Sequence, residues 1–119
     1  MNFYKISSEK PTDIEAGFDI EFVEPIIGAK LSTTEYFSKV LPFYNETGKL
    51  LSPSELGCAL SHISIYKQII ARKEGGIIFE ADIIPTKEEL EIAKNLCLST
   101  TADFIHLGWH PDIRYGRFF

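Results

Sequence analysis

Short apolar clusters bounded by turn residues alternate along the chain with segments in which apolar residues recur at helical spacing. In the first part of the chain this pattern predicts strands at residues 2–7 and 18–23. Apolar and acidic residues alternate in the second strand, which is typical of a strand near a sheet edge with one exposed face. A brief helix ending at Gly17 is predicted between the two strands, and another over residues 33–40, followed by a loop.

A longer helix is predicted after Ser52. Ser52 and Glu55 form a capping box, in which each side chain bonds the backbone N–H of the other residue. Pro53 occupies the first helical position, where its missing N–H costs no hydrogen bond. The glycine pair that starts at Gly75 ends the helix about 20 residues later. At ~1.5 Å per residue this helix is about 30 Å long, which is the width of a small domain.

The two faces of this helix differ in composition. One face is apolar and is predicted to be buried: Leu56, Ala59, Leu60, Ile63, Tyr66 and Ile70, widened by Cys58, Ile65 and Ile69. The other face consists mostly of small residues: Ser54, Gly57, Ser61, Ser64 and Gln68. This small-residue face is either exposed to solvent or allows a backbone segment or a ligand to approach closely. His62 lies at the edge of the apolar face, either as a hydrogen-bonded core residue or as a catalytic group.

The rest of the chain has the pattern strand, helix, strand. Residues 76–80 (GIIFE) form a short apolar run that is typical of a strand buried on both faces. A capping box of Thr86 and Glu89 begins the next helix, and residues 103–109 (DFIHLGW) are a further predicted strand. This order predicts a right-handed parallel crossover, so the fold class is α/β.

Two carboxylates, Glu80 and Asp82, stand at the end of the apolar run. Ligands of open α/β sheets bind beyond the carboxyl ends of the strands, so this is the position of a site. Two carboxylates one residue apart can share a hard divalent cation while leaving coordination positions open for phosphate oxygens. The alternative is that both are solvated residues where a strand meets a loop.

Composition argues against several classes of partner. A formal net charge of −5 over 119 residues, with scattered Lys and Arg, argues against nucleic acid. No apolar run approaches the ~20 residues of a membrane-spanning helix and no secretory signal is evident, so we expect a cytoplasmic protein of one domain. Cys58 and Cys97 lack metal-ligand spacing and are expected to be small core residues rather than a disulfide.

Three segments together resemble glycosyltransferase family 25, the bacterial lipooligosaccharide biosynthesis enzymes. They are residues 50–70 (LLSPSELGCALSHISIYKQII), 75–85 (GGIIFEADIIP) and 102–108 (ADFIHLG). The resemblance implies a GT-A-like (Rossmann-like) nucleotide-sugar-binding sheet with flanking helices. It also implies metal-dependent, inverting transfer of a sugar, commonly galactose, from a nucleotide diphosphate donor to a lipooligosaccharide or LPS acceptor.

The same resemblance implies roles for particular residues. The acidic strand end of the family usually reads E-D-D; Glu80 and Asp82 match its outer positions, and Ala81 replaces the middle one. This pair is therefore expected to bind a divalent cation, Mn²⁺ or Mg²⁺, on the donor diphosphate. The family pattern S-x-x-E-x-G-C-x-x-S-H adds further residues to the donor pocket: Glu55, Ser61 and His62.

The implied partners are UDP-galactose as the donor and a lipooligosaccharide acceptor, with peripheral association at the inner face of the cytoplasmic membrane. Family members are longer than this chain and carry arginines after the first strand, where this chain reads SSEKPTDIEAG. Residues 1–119 are therefore interpreted as a single partial GT-A-like domain, the donor-binding portion of a truncated chain. Such a portion would leave a strand edge exposed, so self-association is expected.

These motifs leave the catalytic base unassigned. His110 and Asp112 are the nearest candidates, and each can equally belong to a solvated loop. Trp109 either stacks on a sugar or base, or packs in the core. The alternative to an active transferase is a truncated, non-catalytic remnant, or a donor-binding fragment that needs a missing C-terminal half.

Overall fold

The computed structural model of the chain describes residues 1–107. Their elements are β1 (Asn2–Ile6), α1 (Asp13–Gly17), β2 (Glu21–Val23), a 3-10 helix (Gly28–Lys30), α2 (Thr33–Thr47), α3 (Pro53–Arg72), β3 (Gly76–Phe79) and α4 (Lys87–Ser99). The chain divides into two compact units, Met1–Ile84 and Pro85–Phe119. The first unit contains the sheet and α1 to α3, and the second contains α4.

Within the described residues the sheet has three parallel strands in the order β2-β1-β3. β1 is central, with Tyr4 opposite Glu21 of β2 and Phe3 opposite Ile77 of β3. The predicted α/β class is therefore confirmed as a small open parallel sheet with flanking helices. The expected edge position of β2 is confirmed as well.

The alternating pattern predicts a strand that starts at residue 18, but β2 begins only at Glu21. Asp19 adopts a left-handed backbone conformation with φ 53°, which no strand residue can have. Its N–H donates to the Ala16 carbonyl oxygen at 3.1 Å, so the chain is still leaving α1 at this point. The apolar and acidic alternation therefore covers both the end of the helix and the short strand.

The core of the first unit lies between the sheet and α3. Tyr4 and Ile6 of β1 pack with Ile65 of α3, and the neighbouring partly buried residues are Val23, Ile69 and Ile78. On the opposite face of the sheet, Phe3 makes an edge-to-face contact with Phe18, with ring centroids 6.1 Å apart. The sheet is thus covered by α3 on one face and by the α1 segment on the other.

A buried ion pair holds α1 against the sheet. Lys5 Nζ of β1 lies 2.7 Å from Glu15 Oε2, and both side chains are almost completely buried. Burial raises the pKa of the Glu15 carboxyl, but hydrogen bonds from Lys5 and Thr12 together bring its pKa below the ordinary value of 4.5. Thr12 and Glu15 also form a capping box at the start of α1, which the sequence analysis did not identify.

α2 is longer than predicted. The prediction ended the helix at residue 40 and placed a loop after it, which is wrong because the helix continues to Thr47 with Pro42 inside it. Proline disfavours a helical conformation in the preceding residue and removes one N–H, but neither effect prevents a helix that has other support. Here the helix ends instead at Gly48, whose φ of 74° suits glycine.

α3 begins where predicted. Ser52 Oγ accepts a hydrogen bond from the Glu55 N–H, and the Glu55 carboxylate accepts one from the Ser52 N–H, both at 3.1 Å. At the other end, the Arg72 guanidinium donates to both carboxylate oxygens of Glu21, at 3.0 and 3.1 Å. It also donates to the Tyr4 hydroxyl at 3.0 Å, so the end of α3 is tied to two strands.

The predicted burial of the apolar face of α3 is wrong for most of its residues. The buried residues of the helix are Leu56, Gly57, Ser61 and Ile65. The exposed residues include much of the predicted apolar face: Cys58, Ala59, Ile63, Tyr66 and Ile70. The small residues allow a backbone segment to approach this side of the helix, so this side faces inward. Cys58 is therefore not the core residue that was expected.

The second unit is built around α4. Its predicted capping box is confirmed, with Glu89 N–H donating to Thr86 Oγ1 at 3.2 Å and the Glu89 carboxylate accepting from the Thr86 N–H at 3.0 Å. Leu90 and Ala93 are its buried residues. Cys97 is half-buried and, like Cys58, is a free thiol.

The strand predicted at residues 103–109 is wrong for residues 103–107, which have no strand conformation; residues 108 and 109 lie outside the described part. An apolar pattern forms a strand only where another strand pairs with it, and Phe104 is largely exposed. The predicted crossover is therefore not formed in this part of the chain. In residues 1–107 no helix is both long and apolar enough to cross a membrane.

Candidate functional site

A cleft of about 360 Å³ lies at the carboxyl edge of the sheet in the first unit. Its walls come from the ends of all three strands and from the first turns of α3. The lining residues are Ile6 to Glu9 at the end of β1, Pro25 to Ala29 after β2, Glu80 and Ala81 after β3, and Ser54, Cys58 and Ser61 of α3. Since ligands of parallel sheets bind at this edge, the cleft is the candidate site.

The predicted carboxylates lie in one tight turn after β3. Ile83 N–H donates to the Glu80 carbonyl oxygen at 3.1 Å, which closes the turn with Ala81 and Asp82 in the middle. Glu80 is on the wall of the cleft, whereas Asp82 is exposed and is not a lining residue. The structure thus places both carboxylates at the predicted edge, but only one of them on the cleft wall.

His62 contacts Glu80 directly. His62 Nε2 lies 2.5 Å from Glu80 Oε1, and this contact joins the third turn of α3 to the turn after β3. A carboxylate oxygen accepts hydrogen bonds, so His62 donates from Nε2. His62 is thus hydrogen-bonded, as one of the two interpretations expected, but it is half-buried rather than a core residue, and its partner belongs to the candidate site.

Ser61 connects α3 to the segment after β2. Its Oγ accepts a hydrogen bond from the Ile26 N–H at 2.9 Å and donates one to the Gly57 carbonyl oxygen at 2.8 Å. Ser61 is 2% exposed, its bond to Gly57 is buried and its bond to Ile26 is partly buried. Ser61 thus borders the cleft, but its hydroxyl is already engaged in holding the wall formed by Ile26.

Two glycines let this wall approach the helix. A Cβ atom on Gly28 would lie 1.7 Å from the Pro53 carbonyl oxygen, and one on Gly57 would lie 2.6 Å from the Ile26 carbonyl oxygen. Neither distance is sterically possible, so both positions require glycine. Close approach of a backbone segment is therefore the correct interpretation of the small-residue face.

Glu55 lies outside the cleft lining. Its carboxylate accepts a hydrogen bond from the Ser52 N–H and lies 3.3 Å from Lys49 Nζ. The hydrogen bond from the Ser52 backbone, followed by that from Lys49, lowers the pKa of the Glu55 carboxyl below its ordinary value. The carboxylate is thus engaged at the start of α3, one turn from the cleft-lining residue Cys58.

The charged residues of the cleft wall are acidic. Glu9 and Glu80 are lining residues, and no Lys or Arg of the described residues joins them. In residues 1–107 no group of three or more His, Cys, Asp or Glu side chains is placed to hold a metal ion. Protein side chains of this part of the chain thus offer at most a partial set of metal ligands.

The sequence analysis missed the walls that come from the first two strands. Ser7, Glu9 and Ile26 carry no recognised motif, yet each follows a strand at its carboxyl end. The rule that pointed to Glu80 could have identified these segments as well, because parallel strands end at the same edge. Three candidates named from the sequence, Trp109, His110 and Asp112, lie outside the described residues.

A cleft at the carboxyl edge of a parallel sheet is the usual position of a nucleotide ligand in α/β proteins. Residues 5–116 match glycosyltransferase family 25, described as LPS biosynthesis proteins. The chain belongs to this family, as the resemblance of its motifs indicated.

Two relatives are similar over part of their length. Procollagen galactosyltransferase 2 of Mus musculus is 31% identical over 75 residues, which are 58% of this chain and 12% of that protein. Procollagen galactosyltransferase 2 of Homo sapiens is 29% identical over 102 residues, which are 80% of this chain and 16% of that protein. The matched region is therefore a small part of these relatives. No solved structure matches the chain.

Proposed function

We propose that the chain binds UDP-galactose in the cleft at the carboxyl edge of its sheet, as the donor part of a galactosyltransferase with a GT-A-like fold. The family membership and the names of the two relatives support a galactosyltransferase-like role. The family description, LPS biosynthesis protein, supports a lipooligosaccharide or LPS acceptor. The proposal places this transfer at the inner face of the cytoplasmic membrane.

The observation that carries the proposal is the position of Glu80. This carboxylate follows the last residue of β3 directly, lies on the cleft wall, and is followed within the same turn by Asp82. Strand ends of this kind direct side chains toward a bound nucleotide. Glu80 and Asp82 are the residues that would bind a divalent cation together with the donor.

The carboxylate oxygens and the negative charge of the cleft wall fit Mg²⁺ or Mn²⁺. Both ions prefer hard oxygen ligands, and Mg²⁺ in particular is often held by one or two carboxylates together with substrate phosphates and water. The cleft wall carries two glutamates and, among residues 1–107, no cationic side chain to balance a diphosphate. A bound cation would supply this charge and stabilise the leaving diphosphate.

The remaining residues of the site have positioning roles in this proposal. Ser61 and Gly57 hold the segment at Ile26, which forms the wall after β2. In an inverting transfer, a general base removes the proton from the acceptor hydroxyl. His110 and Asp112, the candidates for this base, lie outside the described residues.

Calorimetric titration with UDP-galactose, with and without Mn²⁺, tests the proposal. We expect binding that depends on Mn²⁺ and is weakened about tenfold or more by Asp82→Asn, which removes one carboxylate ligand. Asp19→Asn is a matched control: Asp19 is exposed, is not a cleft residue and has a left-handed backbone conformation that asparagine adopts readily.

The control variant is expected to bind the donor as the wild type does. Binding that is unaffected by both Mn²⁺ and Asp82→Asn would remove the assigned role of the acidic turn. A folded wild-type chain that does not bind UDP-galactose under either condition would contradict the proposed function, in favour of a non-catalytic remnant.

A further inference from the structure

Two consecutive residues of α3 contact two different walls of the cleft. Ser61 binds the backbone N–H of Ile26, which is 35 positions away, and His62 binds the side chain of Glu80, which is 18 positions away. Neither hydrogen bond is needed to form the helix itself, because both partners belong to other segments. The third turn of α3 therefore fixes the cleft from two sides.

His62 is placed differently from its partner. Glu80 is a lining residue of the cleft, whereas His62 is not. The His62 side chain is 29% exposed and that of Glu80 is 50% exposed, so the hydrogen bond is made at the margin of the cleft. A ligand in the cleft would thus contact Glu80, and His62 would affect this ligand through Glu80.

We infer that His62 is a positioning residue, which holds the Glu80 carboxylate in the orientation needed to bind the donor complex. A glutamate side chain on an exposed turn has several rotamers, and binding requires that one of them be selected. The hydrogen bond from Nε2 selects this rotamer before the donor arrives. Residues that hydrogen-bond a ligating carboxylate in this way contribute to affinity without contacting the ligand.

This inference rests on the proposed function, and it differs from two other roles for His62. A histidine that contacted the donor itself would act independently of Glu80. A histidine that only packed against its neighbours, such as Tyr66, whose ring centroid is 6.0 Å away, would be sensitive to any loss of volume. The hydrogen bond can be removed or retained separately from the volume of the side chain.

His62→Gln and His62→Asn form a matched pair of variants. The amide nitrogen of glutamine can reach the position of histidine Nε2, whereas that of asparagine lies closer to the position of Nδ1. Both changes replace the ring by a polar amide. We expect His62→Asn to weaken Mn²⁺-dependent binding of UDP-galactose about tenfold, within the range known for second-sphere residues, and His62→Gln to weaken it about twofold or less.

Combination with Glu80→Ala distinguishes action through Glu80 from direct contact. In the Glu80→Ala background, the additional loss caused by His62→Asn is expected to vanish, because its partner is already absent. The inference is contradicted by equal losses in the glutamine and asparagine variants, or by an asparagine effect of the same size with and without Glu80. Failure of the wild-type chain to bind the donor would overturn the proposed function together with this inference.

A measurement without donor provides an independent readout. In the ¹⁵N spectrum of the imidazole of His62, the wild type is expected to show a proton on Nε2 that exchanges slowly with water. Glu80→Ala, a change at a half-exposed residue, should make this exchange fast. Identical imidazole spectra in the two proteins would contradict the inference even if donor binding cannot be measured in a variant.

Discussion

The small-residue face and the apolar face of α3 have different surroundings. On the small-residue face, Gly57 and Ser61 are buried against the segment after β2, with backbone atoms in close contact. On the apolar face, Ile63 is 41% exposed and Ile70 is 74% exposed. Burial here depends on how closely a neighbouring segment can approach, and large apolar side chains would have prevented this approach.

The helix α3 has two roles, one in the cleft and one in the core. On the small-residue face, Ser61 holds the cleft wall and Ser54 borders the cleft, and Cys58 of the apolar face lines the cleft beside them. Further along the helix, Ile65 contributes to the core beneath the sheet. The buried side of α3, which combines Gly57 and Ser61 with Ile65, therefore supports both the fold and the candidate site. Substitutions on this buried side should have larger effects than substitutions at the exposed apolar residues, such as Ile70.

The largest effect is expected for Gly28→Ala. The new Cβ would lie 1.7 Å from the Pro53 carbonyl oxygen, so the segment and the helix must move apart. We expect a loss of about 3 kcal/mol or more in the free energy of unfolding, at or above the upper end for overpacking, measured by urea denaturation.

Gly17→Ala is the matched control for this change. A Cβ on Gly17 meets no atom within 4 Å, so stability should be unchanged or increased by about 0.5 kcal/mol through the reduced entropy of the unfolded chain. Equal stability of the two alanine variants would contradict the close approach of the Gly28 segment to α3.

The next largest effect is expected on stability, when alanine replaces each of two isoleucines of α3. Ile65 is completely buried in the core with Tyr4 and Ile6, whereas Ile70 is mostly exposed. Ile65→Ala should therefore reduce the free energy of unfolding by about 2–4 kcal/mol. Ile70→Ala should change it by less than about 0.5 kcal/mol. If Ile70→Ala proved the more costly of the two in thermal unfolding, the assignment of the buried and exposed sides of α3 would be contradicted.

A smaller effect is expected for Ser61→Ala. This change leaves the partly buried Ile26 N–H without its acceptor, which costs about 1–2 kcal/mol in stability, and it releases the cleft wall. Ser64→Ala is the control, because among residues 1–107 the Ser64 hydroxyl bonds only the Ser61 carbonyl oxygen of its own helix, at 2.7 Å. Urea denaturation should show little change for this control.

The same pair of serine variants tests the link to the site. Ser61→Ala is expected to weaken binding of UDP-galactose severalfold, because the wall at Ile26 is no longer fixed. Ser64→Ala should bind as the wild type does. Equal affinities in both variants, with Ser61→Ala still destabilised, would show that Ser61 matters for the fold and not for the site.

Local features of the fold could be predicted from the sequence because their partners lie within a few residues. The capping boxes at Ser52 and Thr86 are in this class. The length of α2 was not predicted: the helix continues through Pro42, a residue that disfavours helix interiors, and ends only at the left-handed Gly48. The start of β2 was missed because the side-chain pattern does not reveal a left-handed residue at Asp19.

Features that depend on distant neighbours could be predicted only in part. Helical periodicity showed which residues of α3 share a face, but not which face is covered, since this depends on the Gly28 segment. The edge position of Glu80 followed from the order of strands and helices. Its contact with His62 did not follow, because the pairing of two side chains from separate elements requires the three-dimensional arrangement.

Binding of the donor in the cleft is tested most directly by NMR. Amide resonances of the ¹⁵N-labelled chain would be followed while UDP-galactose is added in the presence of Mg²⁺. If the donor binds in the cleft, the shifts will be concentrated in the segments around it, residues 7–9, 25–29, 54–61 and 80–82. Shifts concentrated at the opposite end of the sheet, around Glu21 and Arg72, or no shifts at all, would contradict binding in the cleft.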